Sequence, residues 1–168
     1  MMSQSENEIT VKKISNLAYK YEQEFGGCSQ AVLGAFKNVL GVISDDVFKS
    51  SSGLGGGVGL TGNTCGALLG GVMALSVYSG REYDEFDDKE GKRFKSFSLA
   101  KDLVVKFQRE YGTVVCKEIQ EKIMGRSYNI WIERDEFLAA GGHDDKCPSV
   151  CSNAAKWAME ILIANGLV

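Results

Sequence analysis

The sequence predicts an all-α fold, a multihelical bundle in which a Gly-rich loop leads into a central apolar helix. Three observations carry this reading. Apolar residues recur at intervals of three and four along most of the chain, the spacing that lines one face of a helix. A single proline among 168 residues leaves little to interrupt helices. No stretch of convincing length alternates apolar with polar residues as a half-buried strand does. The length and a hydrophobic content of 44% suffice for one core without disulfide staples. One domain over residues 1–168 is expected, with residues 1–7 flexible.

The elements follow in order. In residues 9–25 the apolar positions Ile9, Val11, Ile14, Leu17, Ala18, Tyr21 and Phe25 define an amphipathic first helix, which Gly26-Gly27 stops. Residues 28–40 form a second, burying Ala31, Val32, Ala35, Phe36, Val39 and Leu40, and Gly41 ends it. Ser44-Asp45-Asp46 reads as the cap and acidic first turn of a short third helix to about residue 50. So many glycines in residues 53–63 forfeit too much backbone entropy for a helix or strand, so this run is a shaped loop. Thr64 is the expected cap of the central apolar helix, residues 65–78. Residues 80–88 are polar and exposed, and a long helix over residues 89–111 closes at Gly112. Thr113 opens the next, residues 114–124, which Gly125 ends. A further helical segment spans residues 130–140, and a terminal helix spans residues 147–164, with Pro148 in a favoured first-turn place.

Four of the five cysteines, Cys28, Cys65, Cys116 and Cys147, each fall where a predicted helix begins. A helix start offers free N–H groups and a partial positive charge, and both favour a thiolate over a thiol. Cys65 follows the Gly-rich loop and precedes the small residues Gly66, Ala67, Gly70 and Gly71, so a thiol below the free value of about 8.5 is expected there, and the fastest alkylation. Cys116, flanked by Val114, Val115 and Ile119, should be more shielded. Cys151, one turn beyond Cys147, reads first as core packing, with a second ligand or a resolving thiol as the other roles open to it. Taken singly, each cysteine is equally readable as a buried thiol that only packs.

Several functions are excluded or disfavoured. A net charge of −3 with interleaved basic and acidic residues gives no footprint for nucleic acid. No membrane insertion is expected, because no apolar run is long enough, and the N-terminal residues lack the pattern of a signal peptide; a cytoplasmic location is expected. In that compartment structural disulfides are rare, and five cysteines leave one unpaired. Cys-x-x-Cys pairs and haem-attachment motifs are absent. The glycine loop lacks the Gly-Lys-Ser/Thr ending of a phosphate loop, and the acidic residues Glu82, Asp84, Glu85, Asp87 and Asp88 lack the order of a calcium loop. The single histidine, His143, reads as a solvated loop residue ahead of a metal ligand.

Cys28-Ser29-Gln30-Ala31-Val32, the loop leading to Cys65-Gly66-Ala67-Leu68-Leu69-Gly70, and then Cys116 and Cys147 in order resemble the redox-active family named for its C…GCAxxG…C…C pattern. The pattern region covers about residues 26–165. Asn63-Thr64 stands where the family name has a glycine before the central cysteine, with Gly62 close by. The resemblance implies redox activity with no established substrate, and a similar module accompanies split-Soret cytochromes, which keeps electron transfer open. Three readings compete here. In the first, Cys28, Cys65, Cys116 and Cys147 are the catalytic thiols of a thiol–disulfide oxidoreductase or redox sensor, acting on a redox partner protein or a small thiol. In the second, the same four are ligands of an iron–sulfur cluster or a single metal ion. In the third, the chain is a structural or assembly protein. Both functional readings require the four sulfurs to cluster under the glycine loop. The apolar central helix further suggests a homodimer, in which a second copy helps to cover it.

Overall fold

The computed structural model describes residues 4–168, and these form eight α-helices and no strand. In order they are α1 (Gln4–Phe25), α2 (Cys28–Leu40), α3 (Asp45–Ser50), α4 (Gly66–Ser79), α5 (Lys92–Tyr111), α6 (Cys116–Met124), α7 (Arg134–Ala139) and α8 (Cys147–Ala164). The expected all-α architecture is therefore present. Residues 4–7, part of the segment expected to be flexible, lie in α1, and residues 1–3 lie outside the described residues. Among the described residues, no helix is long and apolar enough to cross a membrane.

Most helix ends are set by the residues that predicted them. The Ser44 side chain accepts a hydrogen bond from the Val47 N–H at 3.3 Å and caps α3. Gly41, Gly112 and Gly125 close α2, α5 and α6 in the left-handed region, each returning its N–H to the carbonyl four residues back. Five starts differ from expectation: α1 begins at Gln4, α5 at Lys92 and α7 at Arg134 rather than at about residues 9, 89 and 130, and α4 and α6 begin later than residues 65 and 114. Thr64 does not cap α4, because its backbone pairs in an isolated antiparallel bridge with Val115, and Cys65 takes the cap position. The same pairing holds Val115 extended, so α6 begins at Cys116.

α1 lies along α8 and α2, and α4 is enclosed by α2, α5 and α8. Small residues on α4 set the spacing. A Cβ at Gly70 would stand 2.6 Å from the Ser29 carbonyl oxygen, and one at Gly71 would stand 2.7 Å from the Leu103 side chain. The core around it includes Val32, Leu33, Phe36, Leu75, Leu99, Leu103, Phe107, Ala154, Ala158 and Met159, all buried. One copy of the chain thus buries Gly66, Ala67, Leu68, Gly70, Gly71, Ala74, Leu75 and Ser79 of α4.

The Gly-rich loop owes its shape to backbone handedness. Gly56, Gly57, Val58, Gly59 and Leu60 are five consecutive residues at positive φ, between 59° and 76°. Such a run is open to glycine and strained for a β-branched residue such as Val58. Internal hydrogen bonds hold the turn, from the Gly59 N–H to the Gly53 carbonyl at 2.8 Å and from the Gly62 N–H to the Gly56 carbonyl at 3.0 Å.

Candidate functional site

The four helix-start cysteines come from segments far apart in sequence, and the fold brings them to one place. Cys28, Cys65, Cys116 and Cys147, with Cys151, all line a single cavity of about 450 Å³. Each is placed by its helix start: Cys28, Cys116 and Cys147 are the first residues of α2, α6 and α8, and Cys65 is the cap of α4. The loop folds against them. A Cβ at Gly57 would lie 2.8 Å from the Cys116 Cβ, and one at Gly66 would lie 2.5 Å from Cys28 Sγ. Glycine at these positions lets backbone reach sulfur where any other residue would intrude.

A short clasp fixes Cys65 relative to Cys116. The Cys65 N–H donates to the Val114 carbonyl at 2.9 Å, the Cys116 N–H to the Asn63 carbonyl at 2.6 Å, and the Lys117 N–H to the Gly62 carbonyl at 3.1 Å. Thr113 supports the turn, its hydroxyl accepting from the Val115 N–H at 3.1 Å and donating to the Glu118 carboxylate. On the opposite wall the fully buried Cys151 points its thiol at the Cys28 carbonyl, 3.7 Å away. Cys151 is therefore both packed, as expected, and part of the cavity wall.

All five thiols are free, and burial dominates their electrostatics. It pushes Cys65 and Cys116 up to about 12 and raises Cys28, Cys147 and Cys151 as well. Smaller contributions follow from proximity. The charge of Glu22 acts on every one of the five, and those of neighbouring thiolates add to it. Hydrogen-bond donors pull the other way: the N–H groups of Gly56 and Ser29 at Cys28, those of Leu68 and Ala67 at Cys65, and Gln120 Nε2, 3.6 Å from Cys116 Sγ.

The expected low pKa of Cys65 is thus corrected. Its helix-start donors are present, but the thiol is 6% exposed and desolvation outweighs them. Access favours the half-buried Cys28 and Cys147. Iodoacetamide should label these two in the native protein before Cys151, as site-resolved mass spectrometry will show; equal rates for all three would mean that the cavity opens freely.

Two lining residues were not foreseen as parts of a site. Glu22 is 3% exposed, with Oε2 lacking a hydrogen-bond partner among the described residues. Its signal was present in the sequence, since Ile14, Ala18 and Glu22 follow one another at intervals of four on the buried face of α1. His143, read as a solvated loop residue, is half-buried against Phe137, with ring centroids 5.3 Å apart. Its Nε2 lies 3.6 Å from Glu22 Oε1. Sulfur is the right donor for a soft metal, but among the described residues no three His, Cys, Asp or Glu side chains are arranged to hold a metal ion.

No curated protein and no solved structure gives a significant match to the chain. Residues 26–161 match the sequence profile of the family described as "Putative redox-active protein (C_GCAxxG_C_C)", a span that begins just before Cys28 and takes in all five cavity cysteines, and the chain belongs to that family.

Proposed function

We propose that the cavity is a thiol–disulfide redox centre, in which pairs of its cysteines interconvert between thiol and disulfide at the expense of a small disulfide or a partner protein's cysteines. The observation that carries this reading is the convergence of all five thiols on one cavity from separated helix starts. Cysteines that merely pack have no reason to share a void. The mouth suits a visiting reactant: Phe25 and Trp131 line it and are largely exposed, and the Trp131 indole N–H donates to the Gly59 carbonyl at 3.1 Å, joining the rim to the loop. The cytoplasm, which keeps thiols reduced, is the setting this chemistry fits.

Thiol counting before and after mild oxidation, with metal analysis of the same anaerobically purified sample, tests the proposal. Loss of two thiols per chain, recovered by a reductant and without stoichiometric metal, is the expected result. Iron or zinc bound in stoichiometric amount with thiols protected until chelation would overturn it in favour of a metal centre.

A further inference from the structure

Outside the cysteine pattern, the cavity holds one carboxylate, and its placement is unusual. Glu22 has a side chain 4% exposed and one oxygen without a hydrogen-bond partner among the described residues, and it lines the same void as the five thiols. We propose that Glu22 is the proton acceptor and donor of the cysteine cavity, taking the proton of a thiol as it becomes a thiolate and returning it to the leaving thiolate, with His143 linking Glu22 to solvent between turnovers. This rests on the thiol–disulfide reading.

The groups facing Glu22 make the case. Cys28 of α2, Cys65 at the start of α4, Cys116 of α6 and both Cys147 and Cys151 of α8 are neutral thiols held within the reach of its charge. The permanent cation among the lining residues is Arg134 of α7, which is exposed. A thiol that lost its proton to water would add a negative charge to a void with little to balance it. Passing the proton to the Glu22 carboxylate moves one charge and creates none. The burial that holds the Glu22 carboxyl up to about 8 makes its carboxylate a stronger base toward a thiol than an ordinary one.

The fold builds the connection to solvent. The Tyr19 hydroxyl and Gln23 Nε2, both on α1, donate to the Asp144 carbonyl at 3.0 and 2.9 Å, fixing the turn that carries His143 beside Glu22. Gly26 leaves room for the imidazole, since a Cβ there would come within 2.8 Å of His143 Cε1. The His143 side chain is 31% exposed, and its Nε2 lies 3.6 Å from Glu22 Oε1. Burial and then the charge of Arg134 lower its pKa, against a smaller opposing effect of Asp144, so it is neutral at pH 7 and able to both accept and donate.

The exchange balances. Glu22 takes the proton of a first thiol, the thiolate electron pair attacks one sulfur of a disulfide RSSR, and the S–S bond breaks to give a mixed disulfide and RS⁻, which takes the proton back from Glu22. A second cavity thiol passes its proton to Glu22, attacks the protein sulfur of the mixed disulfide and expels the second RS⁻, again protonated by Glu22. Two protein thiols are oxidised to a disulfide, RSSR is reduced to two RSH, and Glu22 ends as it began.

The test follows the reaction of the reduced full chain with oxidised 2-mercaptoethanol, a neutral disulfide, from pH 6 to 9.5, counting thiols by alkylation and mass spectrometry. The wild-type rate should rise with pH and flatten near 8. Glu22→Gln should be about 100-fold slower at pH 8 and continue to rise without flattening, whereas Glu22→Asp should keep the flattening. A Glu22→Gln variant as fast as wild type at pH 8, or one that still flattens there, overturns the proposal. Infrared titration of the wild type is an independent readout that needs no variant: the band of a buried carboxylic acid should disappear near pH 8, and its loss below pH 6 also overturns the assignment. A wild-type chain that leaves the disulfide intact at every pH, while the infrared band titrates as expected, overturns disulfide exchange itself.

Discussion

Glu22→Gln should stabilise the folded chain at pH 8 by on the order of 4 kcal/mol and leave its stability unchanged near pH 4. The Glu22 carboxyl is raised by burial from 4.5 to about 8, so between these values the folded chain binds a proton that the unfolded chain has released. Stability therefore falls as pH rises through this window, by up to about 1.4 kcal/mol per pH unit, and levels off above 8. Gln keeps the shape and has no proton to lose, so its curve should lack this slope. Urea unfolding of both proteins at intervals from pH 4 to 9 measures the difference, and parallel curves would mean that Glu22 is solvated in solution.

The second large effect concerns the contact between α2 and α4. Gly70→Ala should destabilise the protein by about 3 kcal/mol, although helix propensity alone favours alanine by about 1 kcal/mol. The new Cβ would lie 2.6 Å from the Ser29 carbonyl oxygen and 3.0 Å from its Cα, and backbone cannot rotate aside as a flexible side chain can. Ser29 is itself fixed, its buried hydroxyl donating to the Ser51 carbonyl at 2.8 Å. Relief requires α2 to move off α4, and Cys28 moves with it. Gly53→Ala is the control, because a Cβ there meets nothing within 4 Å, and it should change stability by less than about 0.5 kcal/mol. Equal stability of Gly70→Ala and wild type in denaturant unfolding would show that the close approach is dispensable.

The sequence made the helices legible where local chemistry decides them. Ser44 caps α3 through its own side chain, and the glycines after α2, α5 and α6 end them in the left-handed region. It misled where a distant segment takes over. Nothing near Thr64 says that its backbone pairs with Val115, and this pairing moves both the cap of α4 and the start of α6. The cysteine placement was readable for the same reason as the caps. The electrostatic sign at Cys65 was not, because a helix start is a local feature and desolvation depends on what the rest of the chain lays over it. Glu22 was visible as a charged residue on an apolar stripe, but its meaning required knowing which cavity that stripe faces.

Helix starts as thiol carriers also dictate when the centre comes into being. Cys28 stands near one end of the sequence and Cys147 near the other, and Cys65 and Cys116 come from two further segments between them. No local stretch of chain can assemble it, since bringing Cys28, Cys65, Cys116 and Cys147 together requires closing long loops, whose entropy is lost before the contact repays it. A disulfide formed in the nascent chain would join cysteines before α4 has seated against α2, α5 and α8, and would lock in a wrong arrangement. The chain must stay reduced while it folds. Under the proposed thiol–disulfide reading, oxidation chemistry at this cavity is therefore a property of the finished fold, switched on only by its completion.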